Sequence, residues 1–263
     1  MYLFDKQERD DYMIKDLLIV SSNKKIANNV FEMTLSGELV KHVQSPGQFL
    51  HIKVGDDLIL RRPISIASID YQNEQLTIVY KKVGKGTKWL SERYKGDYID
   101  VLGPLGNGFK IDQVRNKNIL VIGGGVGIPP LYELTKQLSK NNHVTVILGF
   151  QSESDIFYEE KFSKIAFTIV TTDDGSYGHK GVVTDLIDYF KDEISLYYAC
   201  GPLMMLKNVR EKLNHVEGHL SIEEQMGCGI GACFACVCLA NNEKGYVKVC
   251  KDGPVFNADE VIL

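Results

Sequence analysis

Four of the six cysteines crowd into MGCGIGACFACVC, Met226 to Cys238, among glycines and alanines. So few large apolar side chains cannot close a core, so the region from about 220 to 263 needs a staple and a scaffold supplied from elsewhere. The opening MYLFDKQERDDY is charged and lacks the apolar stretch of a secretory leader, and nowhere do 18 apolar residues run together. The expectation is a cytoplasmic chain that neither crosses nor binds a membrane. There, clustered cysteines serve as metal ligands or catalytic thiols more often than as disulfides.

The scaffold divides in two. Residues 12–113 carry short β-branched, alternating runs: KDLLIVSS, NVFEMTL, QFLHIKV, RPISIAS, QLTIVYKKV and DYIDVLG. That spacing predicts an antiparallel barrel or sandwich. Residues 114–219 alternate apolar strands (NILVIGGG, HVTVILGF, FTIVTTDDG, SLYYACGP) with helical stretches (LYELTKQLSK, TDLIDYFKD, LMMLKNVREKL). That alternation predicts a parallel α/β sheet. The expected class is thus β plus α/β, with a small C-terminal metal region. A net charge of −4 and a pI near 5.9 argue against a nucleic-acid partner.

Candidate binding residues sit where strands end. NILVI runs into Gly123, Gly124, Gly125, Val126 and Gly127, then Ile128-Pro129-Pro130. Glycines admit a close ligand, prolines suit a first helical turn, and a helix N-terminus attracts anions. A dinucleotide pyrophosphate or a plain tight turn would both use this pattern, and it is not a GxGxxG. Cys200, Gly201 and Pro202 close a later strand, and Cys200 also reads as a small packing residue. Asp173 and Asp174 close another. No Arg or Lys directly follows HVTVILGF, so a bound dinucleotide is expected to be NADH rather than NADPH. In the first region Arg61 and Arg62 precede a strand with small hydroxyls, and Gly86 and Thr87 open the predicted helix TKWLSER. Both are phosphate-type features.

An R-P-I-S and a G-K-G-T on a barrel, followed by GGGVGIPPL and CGP on an α/β domain, resemble the ferredoxin–NADP reductase superfamily. The resemblance implies FAD on the barrel and a nicotinamide nucleotide on the second domain. It further implies flavin contacts from Arg62, Pro63, Ile64 and Ser65, from Val79, Tyr80 and Lys81, and from Gly86 and Thr87. Ile64 stands where many members carry an aromatic residue.

Cys228-x4-Cys233-x2-Cys236, with Cys250 in YVKVCKDGPVF, has the order of plant-type [2Fe–2S] ligation. Small residues between the ligands let backbone N–H groups reach the sulfurs. A zinc ion accepts the same four thiolates, although its sites usually show two separate short pairs. Cys238 falls outside the pattern. MGCGIGACFACVC and YVKVCKDGPVF, over nearly the whole chain, resemble the electron-transfer subunits of type B dihydroorotate dehydrogenase. That family implies a [2Fe–2S] cluster on these four cysteines. It also implies an FMN-containing catalytic subunit in a heterotetramer of two of each.

A hydride carries two electrons, a [2Fe–2S] cluster takes one, and a flavin mediates between them. The expected function is therefore electron transfer between the partner and NAD(H) through the cluster and FAD, within pyrimidine biosynthesis. No catalytic acid or base is needed, and the six histidines read as scattered core or surface residues. Two alternatives stay open. One is a self-contained NAD(P)H reductase, or the flavin subunit of a hydrogenase- or sulfide-type complex. The other is a zinc-stapled nucleotide sensor.

Overall fold

The computed structural model describes residues 13–263, so the opening MYLFDKQERDDY lies outside the described residues. Six strands form a closed antiparallel barrel in the order β1-β2-β5-β4-β3-β6. They are β1 (Ile14–Ala27), β2 (Val30–Ser36), β3 (Phe49–Ile52), β4 (Arg62–Asp70), β5 (Gln75–Lys81) and β6 (Tyr98–Leu105), with helix α1 (Lys85–Ser91) between the last two. All six runs anticipated from alternation are present. Closure removes the exposed edges that an open sheet would leave. Leu18, Val20, Met33, Leu35, Leu50, Ile52, Ile78 and Val101 fill the interior.

The second unit contains β7 (Asn118–Gly124), α2 (Pro129–Leu138), β8 (His143–Phe150), α3 (Glu159–Ser163), β9 (Phe167–Thr172), β10 (His179–Lys180), β11 (Leu196–Cys200), α4 (Leu203–Lys212) and β12 (Glu217–Ser221). These strands are parallel, in the order β10-β9-β8-β7-β11-β12. The stretch TDLIDYFKD, expected as a helix, is a 3₁₀ turn over Val183–Tyr189. Pro129 and Pro130 occupy the first turn of α2, where their missing N–H groups cost nothing. The two units are joined through α2. Buried Glu133 accepts hydrogen bonds from the Ser68 hydroxyl (3.5 Å) and the Ile69 N–H (3.3 Å) of β4.

The C-terminal region holds β13 (Val237–Leu239), paired with β14 (Tyr246–Lys248), and β15 (Val255–Asn257). Strand β15 adds antiparallel to β12, making the sheet seven-stranded, and β12 itself spans positions 219 and 220. Met226, Cys236, Val247, Val249, Cys250, Phe256 and Val261 share one core with Leu120, Ile122 and Tyr197 of the sheet and with Phe49 and Leu105 of the barrel. The staple anticipated from composition is thus accompanied by borrowed apolar surface. Among the described residues, no helix is long and apolar enough to cross a membrane.

Candidate functional site

Strand order reverses at β7. The chain runs outward through β8, β9 and β10 on one side, then returns to β11 and β12 on the other. A crevice opens at such a switch, beyond the carboxyl ends of the two central strands. Both glycine motifs stand there, because Gly123 lies in register with Cys200. The approach is close enough to exclude side chains. A Cβ on Gly127 would lie 2.5 Å from the backbone of Cys200 and Gly201, and one on Gly124 would lie 2.6 Å from Met205 Sδ. At Gly125 the backbone is left-handed (φ 52°) and the space is open. Only glycine satisfies both demands, and the result is a narrow backbone-lined seat of the kind a pyrophosphate enters. Cys200 is fully buried. Burial, then the nearby charge of Glu223, pushes its thiol far above the ordinary range, so it packs rather than reacts. Asp173 and Asp174 are exposed beyond β9, which β8 separates from β7.

On the barrel the two adjacent arginines diverge. Arg61 pairs with Asp100 (2.7 Å) and donates to the carbonyls of His51 (3.2 Å) and Asp100 (3.1 Å), which ties β6 to the start of β4. Arg62 instead lies over α1, where a Cβ on Gly86 would sit 3.1 Å from its Nε. Arg62 and Gly86 are therefore brought together. Thr87 Oγ1 accepts from the N–H groups of Val83 (3.0 Å) and Gly84 (3.2 Å), which fixes the turn entering the helix. Tyr80 is buried in the barrel. Its hydroxyl donates to Asn23 (3.0 Å), and Asn23 donates to the carbonyls of Leu90 (3.0 Å) and Arg93 (2.9 Å), so this chain of bonds anchors the far end of α1. Of its strand neighbours, Val79 packs between barrel and sheet, and Lys81 reaches Asp155 at 3.9 Å. Ile64 packs against the barrel interior, whereas Pro63 and Ser65 stand opposite His51 and Phe49 of β3. The polar and backbone groups available here, with Arg62 beside a helix start, suit the phosphates of a flavin nucleotide.

The cysteine loop is shaped by left-handed glycines, Gly229 (φ 73°) and Gly231 (φ 77°). They turn successive N–H groups toward sulfur. Ile230 and Cys233 donate to Cys228 Sγ (3.5 and 3.3 Å), Gly231 to Cys250 Sγ (3.1 Å), and Cys250 to Cys236 Sγ (3.5 Å). Burial opposes ionisation of Cys228, but these donors outweigh it and bring the thiol down to about 6. For Cys250, burial and then the Cys236 thiol push it up to about 12. Cys228 thus neighbours Cys233, and Cys250 neighbours Cys236. Among the described residues, no three His, Cys, Asp or Glu side chains converge on one ion. Two pairs of thiols, with amide donors already aimed at them, suit a cluster whose two irons take two thiolates each. Cys238 lies apart on β13, with its Sγ 3.7 Å from Glu224. Burial and then that carboxylate push it up to about 11.

His51 is the residue that sequence reasoning passed over. It is buried beneath Gly229, on the strand that pairs with the R-P-I-S motif. Only its position in an otherwise apolar strand, FLHI, marked it.

Comparisons with known proteins show which families this chain is similar to. Residues 223–262 match the iron-sulfur cluster binding domain of dihydroorotate dehydrogenase B, and residues 121–211 match the oxidoreductase NAD-binding domain. The dihydroorotate dehydrogenase B (NAD(+)) electron transfer subunit of Bacillus pumilus is 50% identical over 256 residues, covering 95% of this chain and 99% of that one. Its counterpart in Geobacillus kaustophilus is 49% identical over 254 residues, with 95% and 99% covered. Among solved structures, the NADH-dependent reduced ferredoxin-NADP oxidoreductase matches with a TM-score of 0.84 at 34% identity, over 94% of this chain and 90% of that one. The ferredoxin NADP+ reductase of Neisseria gonorrhoeae, solved with FAD and NADP, shares the fold: TM-score 0.65, 16% identity, 77% and 91% covered.

Proposed function

The chain belongs to the family of dihydroorotate dehydrogenase B electron transfer subunits, and from that premise we propose how its parts carry electrons between a catalytic partner subunit and NAD(H). Its cofactors are FAD and a [2Fe–2S] cluster, with NAD(H) as co-substrate. When bound, FAD takes or gives one hydride on one side and exchanges single electrons on the other.

The chain's own groups have distinct tasks. Gly123, Gly124, Gly125 and Gly127, with Cys200, Gly201 and Pro202, hold the dinucleotide in the switch-point crevice. Arg62, Gly86 and Thr87 hold the flavin phosphates. Pro63, Ile64 and Ser65, with Val79, Tyr80 and Lys81, form and brace the flavin face. Cys228, Cys233, Cys236 and Cys250 ligate the cluster. In this reading residues 12–113 bind FAD, 114–219 bind NAD(H) and 220–263 bind the cluster.

One observation carries the proposal. Ser65 of the flavin strand lies directly opposite Phe49, and Phe49 shares its core with Cys236 and Cys250. Directly opposite residues on an antiparallel pair point to the same face. Flavin strand and cluster loop are therefore linked through Phe49, which pairs with the one and shares a core with the other.

The partner is an FMN-bearing subunit, assembled two and two in the cytoplasm. Exposed Ile230, Phe234 and Leu239 around the cluster region support its docking there. The isolated chain is expected to pass electrons from NADH to dyes without oxidising dihydroorotate. Adding an FMN-bearing dihydroorotate dehydrogenase subunit makes that oxidation NAD-linked. Oxidation by the chain alone, or failure to form a complex, would favour a self-contained reductase.

A further inference from the structure

His51 lies on β3 between the barrel and the cluster loop and is 1% exposed. Its neighbours Leu50 and Ile52 point into the barrel, so the imidazole points outward, on the same face as Phe49. Across the strand pair it stands opposite Pro63. Above it the cluster loop comes into contact: a Cβ on Gly229 would lie 2.5 Å from His51 Nδ1. Gly229 directly follows Cys228. The ring is thus wedged between the flavin strand and the first cysteine of the ligand set.

An imidazole carries at least one N–H donor whether neutral or protonated. The carbonyls of Arg61 and Cys228 lie near, yet among the described residues neither Nδ1 nor Nε2 has a hydrogen-bond partner. Buried donors are rarely left in that state, because they lose their water without replacement. No cysteine sulfur accepts from the ring either. The anionic group that belongs beside Cys228 is the cluster itself, on the ligand set read above.

We propose that His51 donates a hydrogen bond to an inorganic sulfide of the [2Fe–2S] cluster and thereby sets the potential at which the cluster exchanges an electron with the flavin. A donor to cluster sulfur favours the reduced form, which carries the extra negative charge, and so raises the reduction potential.

The test uses the full chain carrying its cofactors, as wild type, His51→Leu and His51→Asn. Pulsed EPR of the reduced wild-type cluster, with 15N-labelled histidine, should show a nitrogen coupling that His51→Asn abolishes. A redox titration followed by EPR should place the His51→Leu cluster at a more negative potential. His51→Asn, which keeps an N–H donor, should shift it back toward wild type. If His51→Leu does not retain a cluster, the labelled wild type and His51→Asn decide the matter. A cluster signal without histidine coupling, a coupling that survives in His51→Asn, or an unchanged potential in His51→Leu would overturn the inference. A wild-type chain lacking any [2Fe–2S] signal would overturn the ligand reading as well, so the two failures are distinguishable.

Discussion

The pair Cys-Gly occurs twice in this chain, as Cys200-Gly201 and as Cys228-Gly229, in opposite settings. Cys200 ends a central strand, wholly buried, with its thiol held neutral and its backbone pressed against Gly127. What that site offers is backbone shape, fixed by strand register. Cys228 lies on an irregular loop, partly exposed, with two N–H donors that favour its thiolate. What that site offers is side-chain chemistry, and its loop leans on a core shared with both other units. A cysteine's function follows from the donors and the solvent around it rather than from its neighbours in sequence.

The sharpest way to break this contrast is to exchange sulfur for something else at each site. Cys233→Ser should lose the cluster entirely while FAD stays bound. Cys200→Ala should keep both cofactors, as should Cys238→Ser. Iron, acid-labile sulfide and flavin analysis of the purified variants reads all three. Cluster loss in Cys238→Ser would undo the pairing of Cys228 with Cys233 and Cys236 with Cys250.

Shape should matter most in the crevice. Gly127→Val places a branched side chain against backbone atoms that cannot retreat. Displacing the dinucleotide by about 1 Å is enough to slow hydride transfer on the order of 100-fold. Stopped-flow reduction by NADH should show that loss, with FAD and cluster contents unchanged.

Much of this was legible in the sequence. The six barrel strands and the α/β alternation announced themselves by periodicity, and the spacing of Cys228, Cys233, Cys236 and Cys250 singled out the candidate ligands. What escaped notice had a local cause. Strand β12, EGHLS, has a glycine and a histidine where an apolar run would signal a buried strand; it is held by β11 on one side and β15 on the other. The turn at Val183–Tyr189 has helical composition but closes as 3₁₀. The resemblance implies flavin contacts from Tyr80 and Thr87 but not the bonds their hydroxyls make, to Asn23 and to the turn backbone. The role of His51 depends on a contact between positions 51 and 229, and no local pattern in the sequence encodes such a contact.

Two smaller effects sharpen the crevice side of the comparison. With acidic Asp173 and Asp174 beyond β9, NADH should reduce the flavin faster than NADPH at matched concentrations. Equal rates would remove that argument. His219 on β12 stacks on Tyr198, two residues before Cys200, and burial lowers its pKa below the ordinary value of 6.5. Between its folded and unfolded pKa values the unfolded chain binds more protons, so stability from this residue is complete above pH 6.5 and falls as pH drops below it. Denaturant midpoints across that range should decline less in His219→Gln.

In the proposed scheme electrons pass between NAD(H) and the catalytic partner by way of the cluster. Its most direct test is NADH formation from dihydroorotate by the catalytic subunit mixed with wild-type or Cys233→Ser chain, both with FAD bound. NAD-linked turnover is expected with the wild type and none with Cys233→Ser, although NADH still bleaches the flavin of that variant. Equal NADH formation with both chains would contradict it.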